Sequence, residues 1–387
     1  MEKNLTTGSV FKTVVYFSLP YLLSYFLQTL YGMADLFIIG QYNGVDSITA
    51  VSIASQVMHM ITVMIVGLAM GGTVLIGRAV GAGKHEEVSA AIGNTIALFM
   101  ALSVIIMIAL LLAVKPIAEA MLTPPEAFGE TVTYLTICMI GIPFITGYNI
   151  ISSIFRGMGD SKSPMYFIGI ACVANIVLDY LFIGVLKLGA AGAALGTTLS
   201  QTISVIVSLI VIRKRKMGIS LSLKDLKPKT AVIINLLKVG IPVALQDGFI
   251  QISFLIITVI ANNRGLNDAA AVGIVEKIIG ILFLVPSSML SAVSVLSAQN
   301  AGAGKHDRAR QTLWIGILIT VVFGTVSAVI MQFSSGSVIG FFTDDSKVIL
   351  LGRQYMSSYV WDCIFAGIHF CFSGYFCAYG LSGISFI

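Results

Sequence analysis

Apolar runs longer than about 18 residues recur along the whole chain between short polar loops, the pattern that bilayer-spanning helices require. They predict ten spans, near residues 13–39, 49–71, 89–113, 131–153, 164–184, 189–212, 233–261, 270–295, 311–333 and 350–376. The fold class that follows is an all-α polytopic membrane protein.

Composition agrees with the pattern. Of 387 residues, 57% are hydrophobic and 11% charged, and the mean hydropathy is +0.96. A soluble domain carries nearer ~25% charged residues, so an ordinary water-soluble enzyme is excluded. So are a disordered chain, a nucleic-acid-binding domain and a disulfide-stapled secreted fold. The five cysteines, Cys138, Cys172, Cys363, Cys371 and Cys377, fall in apolar segments or at their edges and read as small packing residues. The polar start, Met1 to Lys12, lacks a small-residue cleavage site and reads as part of the mature chain.

Charge adds an orientation. With the N-terminus inside, 17 of the 23 Lys and Arg residues fall on the inner side, five fall outside, and Lys277 lies within a span. That asymmetry predicts a cytoplasmic N-terminus. The most basic loop, 213–229, reads as a cytoplasmic linker. The expected organisation is a six-helix lobe over 1–212, a linker over 213–232 and a second lobe over 233–387.

Comparing the chain with itself gives the strongest signal. Gly81-Ala-Gly-Lys-His85 recurs as Gly302-Ala-Gly-Lys-His306, displaced by 221 residues. The same displacement relates Ala50-Val-Ser-Ile53 to Ala271-Val-Gly-Ile274, Tyr134 to Tyr355, and Phe155-Arg-Gly-Met-Gly-Asp-Ser161 to Phe376-Cys-Ala-Tyr-Gly-Leu-Ser382. Near Pro20 and Pro242 the displacement is 222. Six spans per copy is an even number, so the copies are parallel repeats, as in several secondary transporters. The first copy holds six spans and the second four; the missing pair would fall near 385–405 and 410–433, so the chain reads as truncated, with Ile387 opening an eleventh helix.

The Gly-Ala-Gly-Lys loops are not phosphate loops. That motif needs Gly where Arg78 and Gln299 stand, and Ser or Thr where His85 and His306 stand. They read as tight turns whose glycines permit positive φ.

Five of the 18 acidic residues fall inside spans: Asp35, Asp179, Asp247, Glu276 and Asp362. A carboxylate at mid-membrane costs about 2.5–3.5 kcal/mol even on the lenient insertion scale, so each needs a cavity, a partner or a task. Asp35 and Asp179 are the sharper pair. Both sit near the outer ends of parallel spans, Asn175 lies four residues before Asp179, and Gln28 lies seven before Asp35, on matched faces. Two neighbouring carboxylates in a partly dehydrated pocket resist double ionisation; such a pair can take a proton, or hold a sodium ion or a cationic substrate. The alternative is that each Asp merely bonds a neighbouring helix. In the second repeat, Asp247, Glu276 and Asp362 are candidates for a further cation site, with packing or a Glu276–Lys277 ion pair as the alternative. His59 reads as a hydrogen-bonded core residue, and Gly192 with Gly196 as a close helix contact. No nucleophile–base pair or metal constellation emerges, so the expected protein is not an enzyme.

The six-helix repeat, the Phe155-Arg-Gly-Met-Gly-Asp-Ser-Lys-Ser-Pro164 loop and the Gly-Ala-Gly-Lys-His loops resemble the multidrug and toxic compound extrusion (MATE) family. Asp35, Asn175 and Asp179 are similar to the cation site of its DinF-like branch. The resemblance implies a V-shaped pair of lobes and cavity-lining polar groups at Gln28, Tyr134, Asn149 and Thr197. It also implies an alternating-access antiporter with no cofactor, exporting cationic or amphipathic small molecules against H+ or Na+ entering through Asp35 and Asp179. We expect a monomer in the plasma membrane, with no nucleic-acid partner. The rival readings are a lipid-linked-oligosaccharide flippase of related fold and a truncated, non-transporting membrane paralogue.

Overall fold

The computed structural model describes residues 5–215, 222 and 224–386, and these residues are built from helices. Ile387, read above as opening an eleventh helix, lies outside them. The first half of the chain contributes α1 (Val10–Tyr42), α2 (Val45–Gly81), α3 (His85–Leu112), a short α4 (Val114–Ala120), α5 (Pro125–Ile140), α6 (Ile142–Gly157), α7 (Lys162–Asp179) and α8 (Gly189–Arg215). A π-helical turn, Tyr180–Val185, joins α7 to α8. The second half contributes α9 (Thr230–Arg264), α10 (Leu266–Leu282), α11 (Leu284–Gly302), α12 (His306–Gly340), α13 (Ser346–Tyr359), α14 (Asp362–Ala378) and α15 (Ser382–Phe386).

Among the described residues eight helices are long and apolar enough to cross a bilayer alone, and two bent pairs bring the total to ten. The bent pairs are α5–α6, at 47°, and α13–α14, at 41°. Pro143 stands at the start of α6, where its missing N–H and its ring favour a break. Proline also explains one of the differences between the copies. Pro286 cannot donate to the Leu282 carbonyl, and the helix breaks there into α10 and α11. The matching position in α2 is Ile65, and α2 runs unbroken.

The halves meet around α2, α9, α11 and α1, where the backbones approach closely. Small residues permit this. A methyl group on Gly71 would collide with the Leu236 carbonyl, and one on Gly81 with the Gln299 carbonyl. The copies mirror each other at this crossing: a methyl on Gly302 would collide with the Arg78 carbonyl, the residue matching Gln299. The first and third residues of each Gly-Ala-Gly-Lys-His loop thus divide the work. Gly81 and Gly302 allow contact across the halves, while Gly83 and Gly304, at φ +69° and +71°, make the turns. Side chains reinforce the crossing. Gln299 Nε2 donates to the Gly157 carbonyl at 2.8 Å, Tyr25 and Ser291 share a hydrogen bond at 2.9 Å, and Ser294 Oγ reaches Met70 Sδ at 3.5 Å. These contacts lie toward one end of the bundle, the end that carries both Gly-Ala-Gly-Lys-His loops.

Candidate functional site

Toward the opposite end, α1, α7 and α8 assemble an acidic cluster. Asp35 reaches it from the last third of α1, and Asp179 from the last residue of α7, where the helix widens into the π-turn. Such single π-turns cost hydrogen-bond geometry and often mark functional sites. Asp35, Asn175 and Asp179 are 3%, 1% and 0% exposed. The Asp35 carboxyl lies beside Asp179, Asn175 and Thr197, and Thr197 Oγ1 donates to Asp35 Oδ2 at 3.1 Å.

The other polar atoms of the cluster are orphans. Asp35 Oδ1, both Asp179 oxygens and both amide atoms of Asn175 are buried without a hydrogen-bond partner. Buried polar groups are almost always paired, and leaving one unpaired costs about 1–3 kcal/mol, more when it is charged. The pocket offers many acceptors and few donors, so a proton or a small cation fits the donor set and an anion does not.

Gly196 completes the pocket. A methyl group there would collide with Asp179 Oδ1, so the absent side chain gives the carboxyl its room. Gly192, four residues earlier, faces the Phe182 backbone, with 3.0 Å from its would-be Cβ to the Phe182 carbonyl carbon. Both glycines make close contacts, Gly192 with the Phe182 backbone and Gly196 with Asp179 at the end of α7.

The residues implied by family resemblance divide. Thr197 bonds Asp35 directly, and Tyr134 lies beside Thr197 while sharing a 3.2 Å hydrogen bond with Ser55. Gln28 lies away from the pair, beside Tyr148. The Asn149 amide donates to the Ile145 carbonyl of its own helix at 2.9 Å. Sequence reasoning missed Tyr31, beside Asp35, and Ser55 on α2. Tyr31 was findable, because it precedes Asp35 by four residues just as Asn175 precedes Asp179. Ser55 carries no such signal.

In the second half Glu276 and Asp362 both lie beside Tyr359 while Asp247 lies apart, and no group of three His, Cys, Asp or Glu among the described residues is placed to hold a metal. Asp247 faces α2, with its Oδ2 3.1 Å from where a Gly67 Cβ would sit. Glu276 lies beside Tyr355 and Tyr359, with its Oε1 buried and unpartnered. Asp362 is exposed at the bend that opens α14. Lys277 is exposed too, whereas Lys84–Glu87 at 2.8 Å and Arg264–Asp268 at 3.1 Å are ion-paired. The Glu276–Lys277 pair, the alternative to a cation site, does not form, because successive helical residues point about 100° apart. His59, expected as a hydrogen-bonded core residue, is exposed on the first half of α2. The five cysteines are buried and unpaired.

Eight apolar helical stretches and two bent pairs among the described residues, joined at one end and holding a buried acidic cluster toward the other, make a polytopic membrane protein. The chain belongs to the MatE family, whose model matches residues 20–181 and 242–387, one segment in each repeat. It is a transporter and not an enzyme. It is 27% identical over 366 residues to the probable multidrug resistance protein YoeA of Bacillus subtilis, covering 93% of this chain and 79% of that protein. It is 25% identical over 367 residues to the multidrug export protein MepA of Staphylococcus saprophyticus, covering 95% of this chain and 81% of that one. The fold superposes on a multidrug resistance MATE transporter of the MOP superfamily, solved in an outward-facing conformation, with a TM-score of 0.91 at 23% identity, covering 99% of this chain and 86% of that chain. The all-helical architecture read from the sequence is therefore that of the family.

Proposed function

We propose that the protein is a secondary active multidrug efflux antiporter of the plasma membrane, acting as a monomer with its N-terminus in the cytoplasm. It exports cationic and amphipathic small molecules and is driven by entry of H+ or Na+. The observation that carries this reading is the donor-poor cluster of Asp35, Asp179 and Asn175, whose orphaned oxygens suit a cation. The names of YoeA and MepA support the multidrug cargo, and the basic loops support the orientation.

With that orientation the closed end faces the cytoplasm, and the cluster lies toward the outer side. A proton or Na+ arriving from outside neutralises the carboxylates and removes the cost of bringing two like charges into a dehydrated pocket. The two lobes then rock about the crossing of α2, α9 and α11. Loss of the ion inside restores a negative site that attracts a cationic cargo. Thr197 orients Asp35, and Gly196 makes room for Asp179. Asp247, Glu276 and Asp362 act separately, not as one second site. Asp35, Asn175 and Asp179 together favour the DinF-like branch.

Proteoliposomes carrying Asp35→Asn test the reading. Efflux of a fluorescent cation under an imposed ion gradient is expected to fall to the protein-free background while the variant still purifies monodisperse. Efflux at the wild-type rate overturns the assignment. Collapsing the proton and sodium gradients one at a time identifies the coupling ion.

A further inference from the structure

Each half of the chain lays the segment before its first helix onto the third helix of the other half. Residues 5–8 precede α1 yet dock on the start of α12. Arg308 gathers three of their carbonyls: Nη1 donates to Gly8 O at 2.6 Å, and Nη2 to Thr7 O at 2.8 Å and Leu5 O at 3.5 Å. Lys305 Nζ donates to Thr6 O at 2.8 Å. The Leu5 side chain, 3% exposed, is buried in a core shared by α1 residues such as Val14 and Phe17 and by α11 and α12 residues such as Val293, Leu296 and Leu313.

The second copy repeats this with the halves exchanged and the chemistry changed. Residues 225–229 precede α9 yet dock on α3. Asn94, 0% exposed, donates to Asp225 O at 3.2 Å and accepts from Lys229 N–H at 2.7 Å. A methyl group on Gly93 would collide with the Asp225 carbonyl. The segment is preformed: Ser222 N–H and Oγ donate to Asp225 Oδ2 at 2.9 and 3.0 Å, and that pairing, led by the N–H, holds the Asp225 carboxyl below its usual range. At the repeat displacement Leu5 matches Leu226, and α12 matches α3. The element pairing therefore survives although Arg308 has been exchanged for Asn94 as the main anchor.

We propose that these two segments are crossed straps that hold the loop end of the molecule shut, and that both must peel away before the two halves can rock. Each joins elements of opposite halves through backbone groups, so parting the halves at this end leaves carbonyls and an N–H to find other partners. The proposal rests on the alternating-access reading, and its first test needs no cargo.

The reporter is Ala298→Cys, a position 0% exposed and 3.4 Å from the would-be Cβ of Gly77 across the closed crossing. All five native cysteines are buried. In detergent, Asn94→Ala and Arg308→Gln are each expected to raise the maleimide labelling rate of this reporter at least threefold, and together further. A double variant that stays monodisperse and labels at the parent rate overturns the proposal. The second test joins Thr7→Cys to Gln311→Cys, one turn beyond Arg308, with a bifunctional methanethiosulfonate. Transport is expected to stop on linking and return on reduction. Transport that continues while the strap is linked also overturns the proposal, whereas loss of labelling contrast and loss of ion-coupled efflux fail separately and tell the two readings apart.

Discussion

The two repeats share a helical plan but place their acids differently. In the first, Asp35 and Asp179 lie side by side with Asn175, and the nearby Ser55–Tyr134 pair is neutral. In the second, the residues matching Asp35 at either displacement are Ile256 and Ile257, while Ser55 is matched by Glu276 and Tyr134 by Tyr355. The carboxylate has moved from the first helix of the repeat to the second, where it has no matching Asn and shares only the neighbourhood of Tyr359 with Asp362. Asp362 takes the place of Gly141 at the bend of the fourth span. Paired, orphaned carboxylates suit reversible ion binding, because each raises the cost of ionising the other. An acid beside a stacked pair of tyrosines, with its nearest carboxylate exposed at a bend, is a weaker case for such coupling. This difference is the ground for placing the proposed ion coupling in the first repeat.

The largest effect expected from breaking that asymmetry is in Asp179→Asn. It leaves the shape of the pocket and removes one of the two coupled charges. Ion-driven efflux in proteoliposomes should fall to background, and any uncoupled leak of cargo down its own gradient should remain. Gly196→Ala comes next. It keeps every polar atom but forces a methyl group against the Asp179 carboxyl. Overpacking of this kind costs about 1–3 kcal/mol. Where that cost falls on the ion-bound geometry, the coupling ion needed for half-maximal efflux should rise roughly tenfold, since about 1.4 kcal/mol is a factor of ten. Unaltered ion dependence in a well-folded Gly196→Ala protein would remove Gly196 from the site.

Much of this was legible in the chain because membrane helices are written in long apolar runs. The Asp35–Asp179 pairing was legible too, since both spans run the same way and helical spacing puts Asn175 on the face of Asp179. What escaped depended on third partners. Gly196 reads as a packing glycine until α7 is seen to end in a π-turn that swings Asp179 toward it. Pro286 breaks its helix where the equivalent α2 is continuous, a difference hidden inside one unbroken apolar run. Glu276 and Asp362 looked alike as intramembrane acids. Only the fold shows one facing tyrosines and the other exposed at a bend. Nor does spacing alone reveal that residues 5–8 cross to the far half.

The smallest effect should come from Glu276→Ser, which gives the second repeat the residue that the first has at Ser55. If coupling resides in the first repeat, this exchange leaves the ion requirement intact and changes only the fit of cargo near Tyr355 and Tyr359. Those rings stack with centroids 5.4 Å apart and an interplanar angle of 16°, a flat apolar platform beside the carboxylate. Removing the charge weakens attraction for cationic cargo only, and a partly hydrated ion pair contributes about 0.2–1 kcal/mol. Efflux of a cationic dye should therefore fall by less than about tenfold, with a neutral amphipathic cargo unaffected. The discriminating measurement is the dependence of efflux on the coupling ion. An unchanged half-maximal concentration keeps coupling in the first repeat. A loss as complete as that of Asp179→Asn would mean that Glu276 binds the ion too, and the division of labour drawn from the two acid patterns would fall.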